Sequence, residues 1–459
     1  MTDLHRKTAS ELAPLIKAKQ LSPVELTEAI IKRVEQEDPF VNAYITWLPE
    51  VAREQAKHAE KQIMQGLYRG PLHGIPIAIK DNMYTKGIPT TAGSKLLRDF
   101  VPDENATAVD KLLAAGGVMV GKLNMHEFGG GLTNTNQFYG HARNPWNINH
   151  SPGGSSGGSS AAVSAGLTTL ATGTDTYGSI REPAAMAGIY GLKPTYGLVS
   201  SQGVIPLAPS MDHIGPMARS VSDLALMLQH MAGPDPQDPA SINAPIPDYS
   251  ENITKGIQGV KIAVPGTFFK RLDPEVAHLF KNALRQMEKM GAMIIDINLP
   301  ELEMAAYAAY LTVTGEAANT FYEMLKTNPE DFNADVRIFF TSGLLTNTNH
   351  YVRAQQIRRR LAMAFKKVFE DVDVIAAPTI PIISPAFQPT WIEQNLEIIE
   401  RCMPFTTPTN LTGLPSLSVP IGLSSEVLPA GMQIIGNHRT EKLLFQVGNA
   451  WESINPLGV

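Results

Sequence analysis

Glycine and serine crowd into one stretch of the chain, residues 151–195, which constrains the fold more than any other feature. The stretch contains two serine-bearing glycine loops, GGSSGGSS (153–160) and TYGSIR (176–181), separated by small residues. Glycine permits positive φ and close backbone approach, and serine supplies a hydroxyl that a nearby base can make nucleophilic. A flexible linker is the alternative. Because residues 161–170 are apolar and favour a helix, we interpret the stretch as ordered loops that hold a candidate nucleophile.

The composition indicates a large folded chain and argues against several classes of binding protein. Of its 459 residues, 43% are hydrophobic, which is enough for a sizeable core. A net charge of −6 argues against a nucleic-acid surface or a polybasic membrane anchor. Cys402 has no second cysteine to pair with, and the sequence has neither an apolar leader nor an apolar run of membrane-spanning length. We therefore expect a soluble, cytoplasmic protein that does not bind nucleic acid directly.

Short apolar runs that alternate with helical patterns predict an α/β architecture. Strands are expected at 75–79 and 117–121, with a helix at 107–115 between them and parallel pairing. Further predicted elements are helices at 49–66, 274–290 and 351–369 and strands at 260–264, 292–297, 372–377, 416–421 and 431–435. We place all of them in one domain (1–459), which comprises a helical part (1–66), a catalytic core (67–232), a proline-rich connection (233–255) and the rest of the sheet with its covering helices (256–459).

The sequence contains no recognisable cofactor or metal motif. GGSSGGSS lacks the Lys-Ser/Thr ending of a phosphate-binding loop, and no GxGxxG follows a predicted strand. The eleven histidines are scattered, and the GxSxG elbow of a Ser-His-Asp hydrolase is missing. We therefore expect neither a cofactor nor a metal ion.

A lysine is the best candidate for a general base. Lys80 ends the strand-like run GIPIAIKDN, and lysine is almost never buried unless it is paired or functional. Burial disfavours the ammonium form and lowers the lysine pKa, as a general base requires. A structural salt bridge of Lys80 is the alternative, and spacing does not decide between the two. His150 is a second candidate base, but nothing in the sequence positions it.

Three of these features occur together in a known enzyme family. Lys80 in GIPIAIKDN, Ser155 in SPGGSSGG and Ser179 in GTDTYGSIREPA resemble the amidase signature family of serine hydrolases. The likeness extends over nearly the whole chain through VGKLNMHEFGGG (120–131), RNPW (143–146), GIYGLKPTYG (188–197) and GLPSLSVPIG (413–422). The resemblance implies an α/β fold in which helices cover both faces of a mixed, twisted central sheet.

The resemblance also implies a mechanism for cleaving amide C–N bonds. Ser179 would attack the carbonyl and form an acyl-enzyme. Ser155, after a cis peptide bond from Gly154, would relay protons between Ser179 and Lys80. The substrate would be a small amide or anilide, with a carbamate or an ester as further possibilities, and the enzyme would act as a monomer or homodimer.

The remaining site residues lie around the nucleophile. The resemblance implies that the backbone N–H groups of Thr176, Tyr177, Gly178 and Ser179 form the oxyanion hole. It further implies that Asp175 and Arg181 brace this loop. Expected substrate contacts are Met125, Gly129, Gly130, Gly131 and Tyr177. Three nearby serines are expected to cap or pack the following helix, namely Ser156, Ser159 and Ser160.

Tyr177 is the clearest departure from the family pattern, which usually has glycine two residues before the nucleophile. If this position required positive φ, tyrosine would be strained by roughly 1 kcal/mol or more. Its ring would then point toward the substrate or the leaving group. We expect Tyr177 to shape specificity rather than to abolish catalysis.

Two other functions compete with a stand-alone amidase. One is the glutaminase A subunit of a tRNA-dependent amidotransferase, whose arginine aligns with Arg358. The position of the aspartate by which that protein fixes the glutamine α-amino group falls near Met403, however, and a buried ammonium without a carboxylate binds poorly. The other is a non-catalytic scaffold, which the retention of Lys80, Ser155 and Ser179 disfavours. Met403 and Tyr177 together favour the stand-alone amidase.

Overall fold

A single mixed sheet organises the protein. The computed structural model describes residues 3–454 and 457, so the outermost ends of the predicted domain 1–459 lie outside the described residues. The strands are β1 (Tyr44–Trp47), β2 (Pro76–Lys80), β3 (Val118–Leu123), β4 (Leu170–Asp175), β5 (Tyr190–Lys193), β6 (His213–Ala218), β7 (Lys261–Pro265), β8 (Met293–Ile297), β9 (Val374–Pro378), β10 (Ser416–Leu423) and β11 (Pro429–Ile435). Their order across the sheet is β1-β3-β2-β4-β6-β5-β10-β11-β9-β7-β8.

The α-helices connect these strands and cover them. They are α1 (Ala9–Lys17), α2 (Pro23–Val41), α3 (Pro49–Met64), α4 (Thr107–Ala114), α5 (Gly157–Ser164), α6 (Arg181–Ala187), α7 (Val221–Met231), α8 (Pro274–Lys289), α9 (Ala305–Thr320), α10 (Tyr322–Thr327), α11 (Ala334–Gly343), α12 (Thr348–Val368), α13 (Trp391–Thr412) and α14 (Glu441–Glu452). Within residues 3–454, no helix is long and apolar enough to cross a membrane.

The pairing pattern confirms the predicted parallel strands and the mixed sheet. β2 lies between β3 and β4 and runs parallel to both. β4, in contrast, is antiparallel to β6. β5 and β10 are antiparallel neighbours, so strands from both sides of the proline-rich stretch belong to one sheet.

Alternating side chains on the strands bury both faces of the sheet. On β2, Ile77 and Ile79 pack into a core with residues of α4, α7, α8 and α14. Ala78, between them, packs on the opposite face with residues of α2, α3 and α5. A third core, built around α9, α11, α12 and α13, covers the β9 end of that face. The helices therefore cover both faces, as the resemblance implies.

One helix formed where the sequence discourages helices. α13 contains Pro404 and Pro408, and proline in a helix interior removes a backbone donor. Two side chains from elsewhere in the fold bond to this helix: Arg181 donates to Thr406 O at 3.1 Å and Gln433 to Phe405 O at 2.7 Å. These tertiary contacts explain why local preference did not predict the helix.

Candidate active site

The site lies where two parallel strands end. Because β2 and β4 are parallel neighbours, their carboxyl ends meet at one edge of the sheet. Lys80 is the last residue of β2, and Thr174 and Asp175 are the last two of β4. The loop before α5 and the loop between β4 and α6 converge on the same edge, so both glycine loops meet Lys80.

Three hydroxyl groups surround the fully buried amine of Lys80. Its Nζ lies 2.8 Å from each of Ser155 Oγ, Ser156 Oγ and Thr174 Oγ1. No carboxylate forms a salt bridge with this Nζ among the described residues. The alternative of a structural salt bridge is therefore wrong, since the lysine contacts hydroxyls alone.

The geometry fits a neutral lysine whose lone pair faces Ser155. Burial lowers the pKa of Lys80 to about 7, although Asp175 and Asp212 oppose this effect. A neutral amine has two N–H donors and one lone pair. Ser156 Oγ donates to Thr174 O at 3.3 Å, which leaves it as an acceptor toward Lys80. If Ser156 and Thr174 accept the two N–H bonds, the lone pair is left to receive the hydroxyl proton of Ser155.

The role expected for Ser156 is corrected by these contacts. Ser156 precedes α5, but its side chain makes no capping bond and binds Lys80 instead. Ser159 and Ser160 pack as expected, with their hydroxyls on Thr172 O and Pro152 O. Neighbouring serines in GGSSGGSS look alike in sequence, and only the direction of each side chain separates them.

Close packing of α5 explains the glycines of the first loop. A Cβ on Gly158 would lie 2.3 Å from Asn124 O and 2.6 Å from Ala43 O, so glycine alone lets this helix approach the strands. The peptide bond from Gly154 to Ser155 is cis, as the resemblance implies. Ser155 is only 1% exposed, and its hydroxyl lies against Lys80.

Ser179 is equally buried, and it presents a free hydroxyl. Its Oγ has no hydrogen-bond partner among the described residues, and it is not bonded to Ser155 Oγ. The two loops are joined through the backbone, since Ser156 N donates to Ser179 O at 3.3 Å. Catalytic hydrogen bonds are often incomplete before substrate binds, so this arrangement is compatible with a nucleophile adjacent to its relay.

The loop of residues 176–179, called the oxyanion loop below, offers three of the four expected donors. Within residues 3–454, the N–H groups of Thr176, Tyr177 and Ser179 have no protein partner. Gly178 N, in contrast, donates to Asp175 Oδ1 at 2.8 Å. The expectation that Gly178 contributes to the oxyanion hole is therefore corrected, because this N–H is already occupied.

Asp175 and Arg181 fix the shape of the oxyanion loop through buried hydrogen bonds. Their side chains form a buried bidentate pair at 2.9 and 3.0 Å, and Asp175 also accepts from Ile180 N at 3.2 Å. Although burial opposes ionisation, the Arg181 guanidinium and Asn410 amide hold the pKa of Asp175 well below its usual value. The carboxylate thus stays charged and bends the chain back at the end of β4.

A cavity of about 210 Å³ opens beside this loop. Gly129, Thr174 and Thr176 border it on the catalytic side, and a Cβ on Gly129 would lie 3.6 Å from Ser155 Oγ. Its other walls are mostly apolar and include Phe128, Val204, Ile205, Leu207 and Ile214. Asn82, Ser201 and Asp212 add polar groups to its lining. By volume alone, the cavity can accommodate a group about the size of a benzene ring, which ~150 Å³ can hold.

Four of the expected substrate contacts do not border this cavity, namely Met125, Gly130, Gly131 and Tyr177. Their contact with substrate stays a prediction. Gly130 packs against Phe340 and Val336, and Gly131 lies against the His126 ring. Gly129 is the one member of the expected set that lines the cavity.

Tyr177 is accommodated without backbone strain. It is not among the described residues with positive φ, whereas Gly178 has φ +138°. Its ring is fully buried, lies 6.0 Å from the Phe339 ring, and its hydroxyl donates to Gly129 O at 3.2 Å. Tyr177 therefore touches the cavity through Gly129 rather than with its own ring.

The other sequence candidates are not part of this site. His150 Nδ1 contacts Ser384 O at 2.8 Å and no member of the Lys80 cluster. No group of three or more metal-ligating side chains occurs in the described part of the chain. A larger groove of about 1090 Å³ lies between α1 and α7 and contains none of the predicted site residues.

Comparison with known proteins identifies the family. The sequence profile of the family described as Amidase matches residues 25–445. The A subunit of the glutamyl-tRNA(Gln) amidotransferase from Methylococcus capsulatus is 40% identical over 487 aligned positions, which cover 99% of this chain and 100% of that protein. The chain belongs to the amidase signature family.

Solved structures agree with this assignment. A structure described as a vestigial protein complex that reveals the evolutionary origins of an s-triazine catabolic enzyme superposes with a TM-score of 0.93 at 32% identity, covering 98% of this chain and 99% of that one. A bacterial aryl acylamidase of the amidase signature family superposes with a TM-score of 0.89 at 29% identity, covering 99% and 97%. The fold is therefore the amidase signature fold, and the chain is an enzyme of a family that acts on amide C–N bonds.

Sequence reasoning missed two residues of this amidase site. Ser156 and Thr174 both contact Lys80 Nζ, but neither was expected to do so. Thr174 lies at the end of β4, a strand that was not predicted from the sequence. The packing that orients each hydroxyl toward the Lys80 amine could not be deduced from the amino-acid sequence.

Proposed function

We propose that this chain is a hydrolase that cleaves amide C–N bonds through an acyl-enzyme on Ser179. Neutral Lys80 takes the Ser179 proton through Ser155 while Ser179 Oγ bonds to the carbonyl carbon. The same proton then passes to the leaving nitrogen as the C–N bond breaks. Water then hydrolyses the acyl-enzyme ester: Lys80 takes a proton from the water, and the Ser179 oxygen regains a proton through Ser155 as it leaves. The observation that carries this proposal is the buried Lys80 amine, which lies 2.8 Å from Ser155 Oγ, together with the unpartnered Ser179 hydroxyl of the second glycine loop.

In this proposal the oxyanion loop stabilises the negative charge of the tetrahedral intermediate. The unpartnered N–H groups of Thr176, Tyr177 and Ser179 are suited to receive the developing negative charge. Losing one such donor typically reduces kcat by roughly 10²–10³-fold. Because Asp175 and Arg181 hold the loop, the donors need little rearrangement when the charge forms.

The substrate is proposed to be a small amide or anilide with an apolar acyl or aryl group. The mostly apolar walls of the 210 Å³ cavity support this choice, and aryl carbamates and esters of similar size would fit the same chemistry. We propose that the chain works without partner proteins. Two residues, Met403 and Arg358, support this against the amidotransferase alternative.

Met403 offers no partner for a substrate ammonium. It lies near the position expected for the aspartate of the amidotransferase A subunit, and it is 3% exposed within the same apolar core as Tyr177. Burying an ammonium without a carboxylate is strongly unfavourable. Glutamine would therefore lose its main electrostatic anchor at this position.

Arg358, which aligns with the glutamine-binding arginine, is already bonded within the protein. Its guanidinium donates to Leu411 O at 2.5 Å, Ser210 Oγ at 3.1 Å and Ser210 O at 2.8 Å. A substrate carboxylate would have to displace these bonds. Arg358 is better suited to hold Ser210 than to bind glutamine.

The A subunit of an amidotransferase is the second candidate function. The 40% identity to such a protein over the full chain favours it. This alternative predicts glutaminase activity and co-purification with other proteins of the complex. It also predicts that Arg358→Ala weakens glutamine turnover specifically, whereas Arg359→Ala, on the exposed neighbour, does not.

A hydrolysis panel on the purified single chain tests the proposal. The panel comprises glutamine, small aliphatic amides, acylated anilines, esters and aryl carbamates. Release of aniline without glutaminase activity supports the stand-alone hydrolase, and glutaminase activity alone would replace it with the amidotransferase function. A fluorophosphonate probe addresses the scaffold alternative, since it should label the wild type and Ser164→Ala but not Ser179→Ala. An unlabelled wild type would favour the scaffold.

A further inference from the structure

One carboxylate outside the proposed triad joins the oxyanion loop to the cavity wall. The antiparallel strands β4 and β6 pair as far as Asp175 and His213. Beyond this point the strands diverge, and the next residues outward are Thr176 and Asp212. Their side chains are hydrogen bonded, with Thr176 Oγ1 donating to Asp212 Oδ1 at 2.5 Å.

Asp212 also holds the wall segment, which we define as residues 204–209. It accepts from Leu207 N at 2.9 Å and from Ala208 N at 3.1 and 3.2 Å. Leu207 borders the cavity, and a Cβ on Gly129 would lie 3.5 Å from Leu207 Cδ2. With the Thr176 hydroxyl, four donor contacts reach this one carboxylate, so its oxygens are used by the protein rather than left for a ligand.

Ser210, the residue that follows the wall segment, is anchored to two other helices. Ser210 N and Ser210 Oγ donate to the Glu316 carboxylate at 3.0 and 2.6 Å. Arg358 holds the Ser210 carbonyl, as described above, and Tyr351 donates to Glu316 at 3.0 Å. Glu316 and Arg358 therefore hold Ser210, and Asp212 links the wall segment to the oxyanion loop.

We propose that Asp212 is a positioning residue that couples the substrate cavity to the oxyanion hole through Thr176. A substrate group that packs against Leu207 would contact the wall segment, whose backbone N–H groups at Leu207 and Ala208 donate to Asp212. Asp212 in turn holds the Thr176 hydroxyl and so aims the Thr176 N–H at the carbonyl oxygen. Charge-assisted hydrogen bonds to a carboxylate are short and strong, which suits a rigid link. This inference rests on the proposed function of the oxyanion loop.

A double-mutant cycle tests the coupling in the full chain. Asp212→Asn removes the charge, and Thr176→Val removes the hydroxyl while keeping the backbone N–H. Each single variant should lower kcat by about 10- to 100-fold and change KM by less than about threefold, because a misaimed donor weakens mainly the transition state. The double variant should be no slower than the slower single variant, since both changes break the same link.

Asp235→Asn is the matched control. Asp235 is a carboxylate that, like Asp212, accepts from side-chain hydroxyl and backbone N–H groups, here from Thr107, Ser200 and Gln237, but it does not contact the oxyanion loop. This variant removes a hydrogen-bonded carboxylate charge away from the oxyanion loop and should keep wild-type kcat. A kcat loss equal in both aspartate variants would show that destabilisation alone explains the effect, and would overturn the inference.

The remaining outcomes also decide the question. A folded Asp212→Asn enzyme with kcat within about twofold of wild type, or additive effects of the two changes, would overturn the inference. If Asp212→Asn does not fold, Thr176→Val decides alone, and wild-type kcat in that variant overturns the coupling. The proposed function fails separately, when the wild type is neither labelled by a fluorophosphonate nor active on the panel.

Discussion

Lys80 Nζ and Ser155 Oγ lie 2.8 Å apart at the buried end of β2. The pair is separated from solvent, since Lys80 is 0% and Ser155 1% exposed. In such surroundings an ammonium is poorly solvated, and the pKa of Lys80 falls to about 7 because of burial. A base of this pKa is well matched to proton transfer near neutral pH.

The pH dependence of kcat/KM should report this group. Lys80 must be neutral to accept a proton, so kcat/KM should rise with pH through about 7 and level off above it. Initial rates on an acylated aniline between about pH 5 and about pH 9 measure the midpoint. A rate that fell across this range, or a midpoint near the value of an exposed lysine, would contradict the assignment.

Removing either hydroxyl that faces the Lys80 N–H groups should slow catalysis. Thr174→Val and Ser156→Ala each take away an acceptor, so the amine can rotate and its lone pair no longer faces Ser155. A buried hydrogen bond of this kind contributes about 1–2 kcal/mol, equivalent to roughly 5- to 30-fold in kcat. Thr168→Val is the control, because the Thr168 hydroxyl is buried and hydrogen bonded to Pro76 O and Leu170 O, and it does not contact Lys80. Equal rates for Thr174→Val and Thr168→Val would rule out this role.

Tyr177→Gly should separate stability from specificity. Deleting a fully buried aromatic ring leaves a cavity and should cost about 3–5 kcal/mol of unfolding free energy, measured by urea denaturation. Because Tyr177 supports Gly129 beside the cavity, the relative kcat/KM values for small and large acyl groups should change. Tyr177→Phe, which removes only the hydroxyl contact to Gly129 O, should cost about 1 kcal/mol. If Tyr177→Gly changed every substrate by the same factor, Tyr177 would have no part in specificity.

The Asp175–Arg181 pair should be required for stability as well as for loop shape. Breaking it with Asp175→Asn or Arg181→Met leaves one buried group unpaired and should cost about 3–5 kcal/mol. The folded pKa of Asp175 lies below its unfolded value, so this stabilisation is present above about pH 4 and is lost as the pH falls further. Urea midpoints of wild type and Asp175→Asn should therefore converge in acid. A gap that stayed constant at low pH would contradict this linkage.

Local patterns predicted much of the sheet and of its helices. The strands at 75–79 and 117–121 were found as β2 and β3 within a few residues, and the predicted helix at 49–66 was found as α3. The pattern Ser22-Pro23-Val24-Glu25 is typical of a helix start, and Ser22 caps α2 by accepting from Val24 N at 2.9 Å. These elements carry their signals in neighbouring residues. α13 does not, since Arg181 and Gln433 support a helix that its two prolines argue against.

The sequence by itself determined the family, the parallel β2–β3 pairing, and the presence of a lysine and two serine loops that belong together. Tertiary structure alone decided that Ser156 and Thr174 contact the Lys80 amine. It decided that Gly178 N donates to Asp175 and that the Tyr177 hydroxyl donates to Gly129 O. It also placed Asp212 against Thr176, across the point where β4 and β6 diverge. The reason is physical: backbone preference and motif spacing act between neighbours, whereas the direction of a buried hydroxyl or carboxylate depends on donors and acceptors from distant segments.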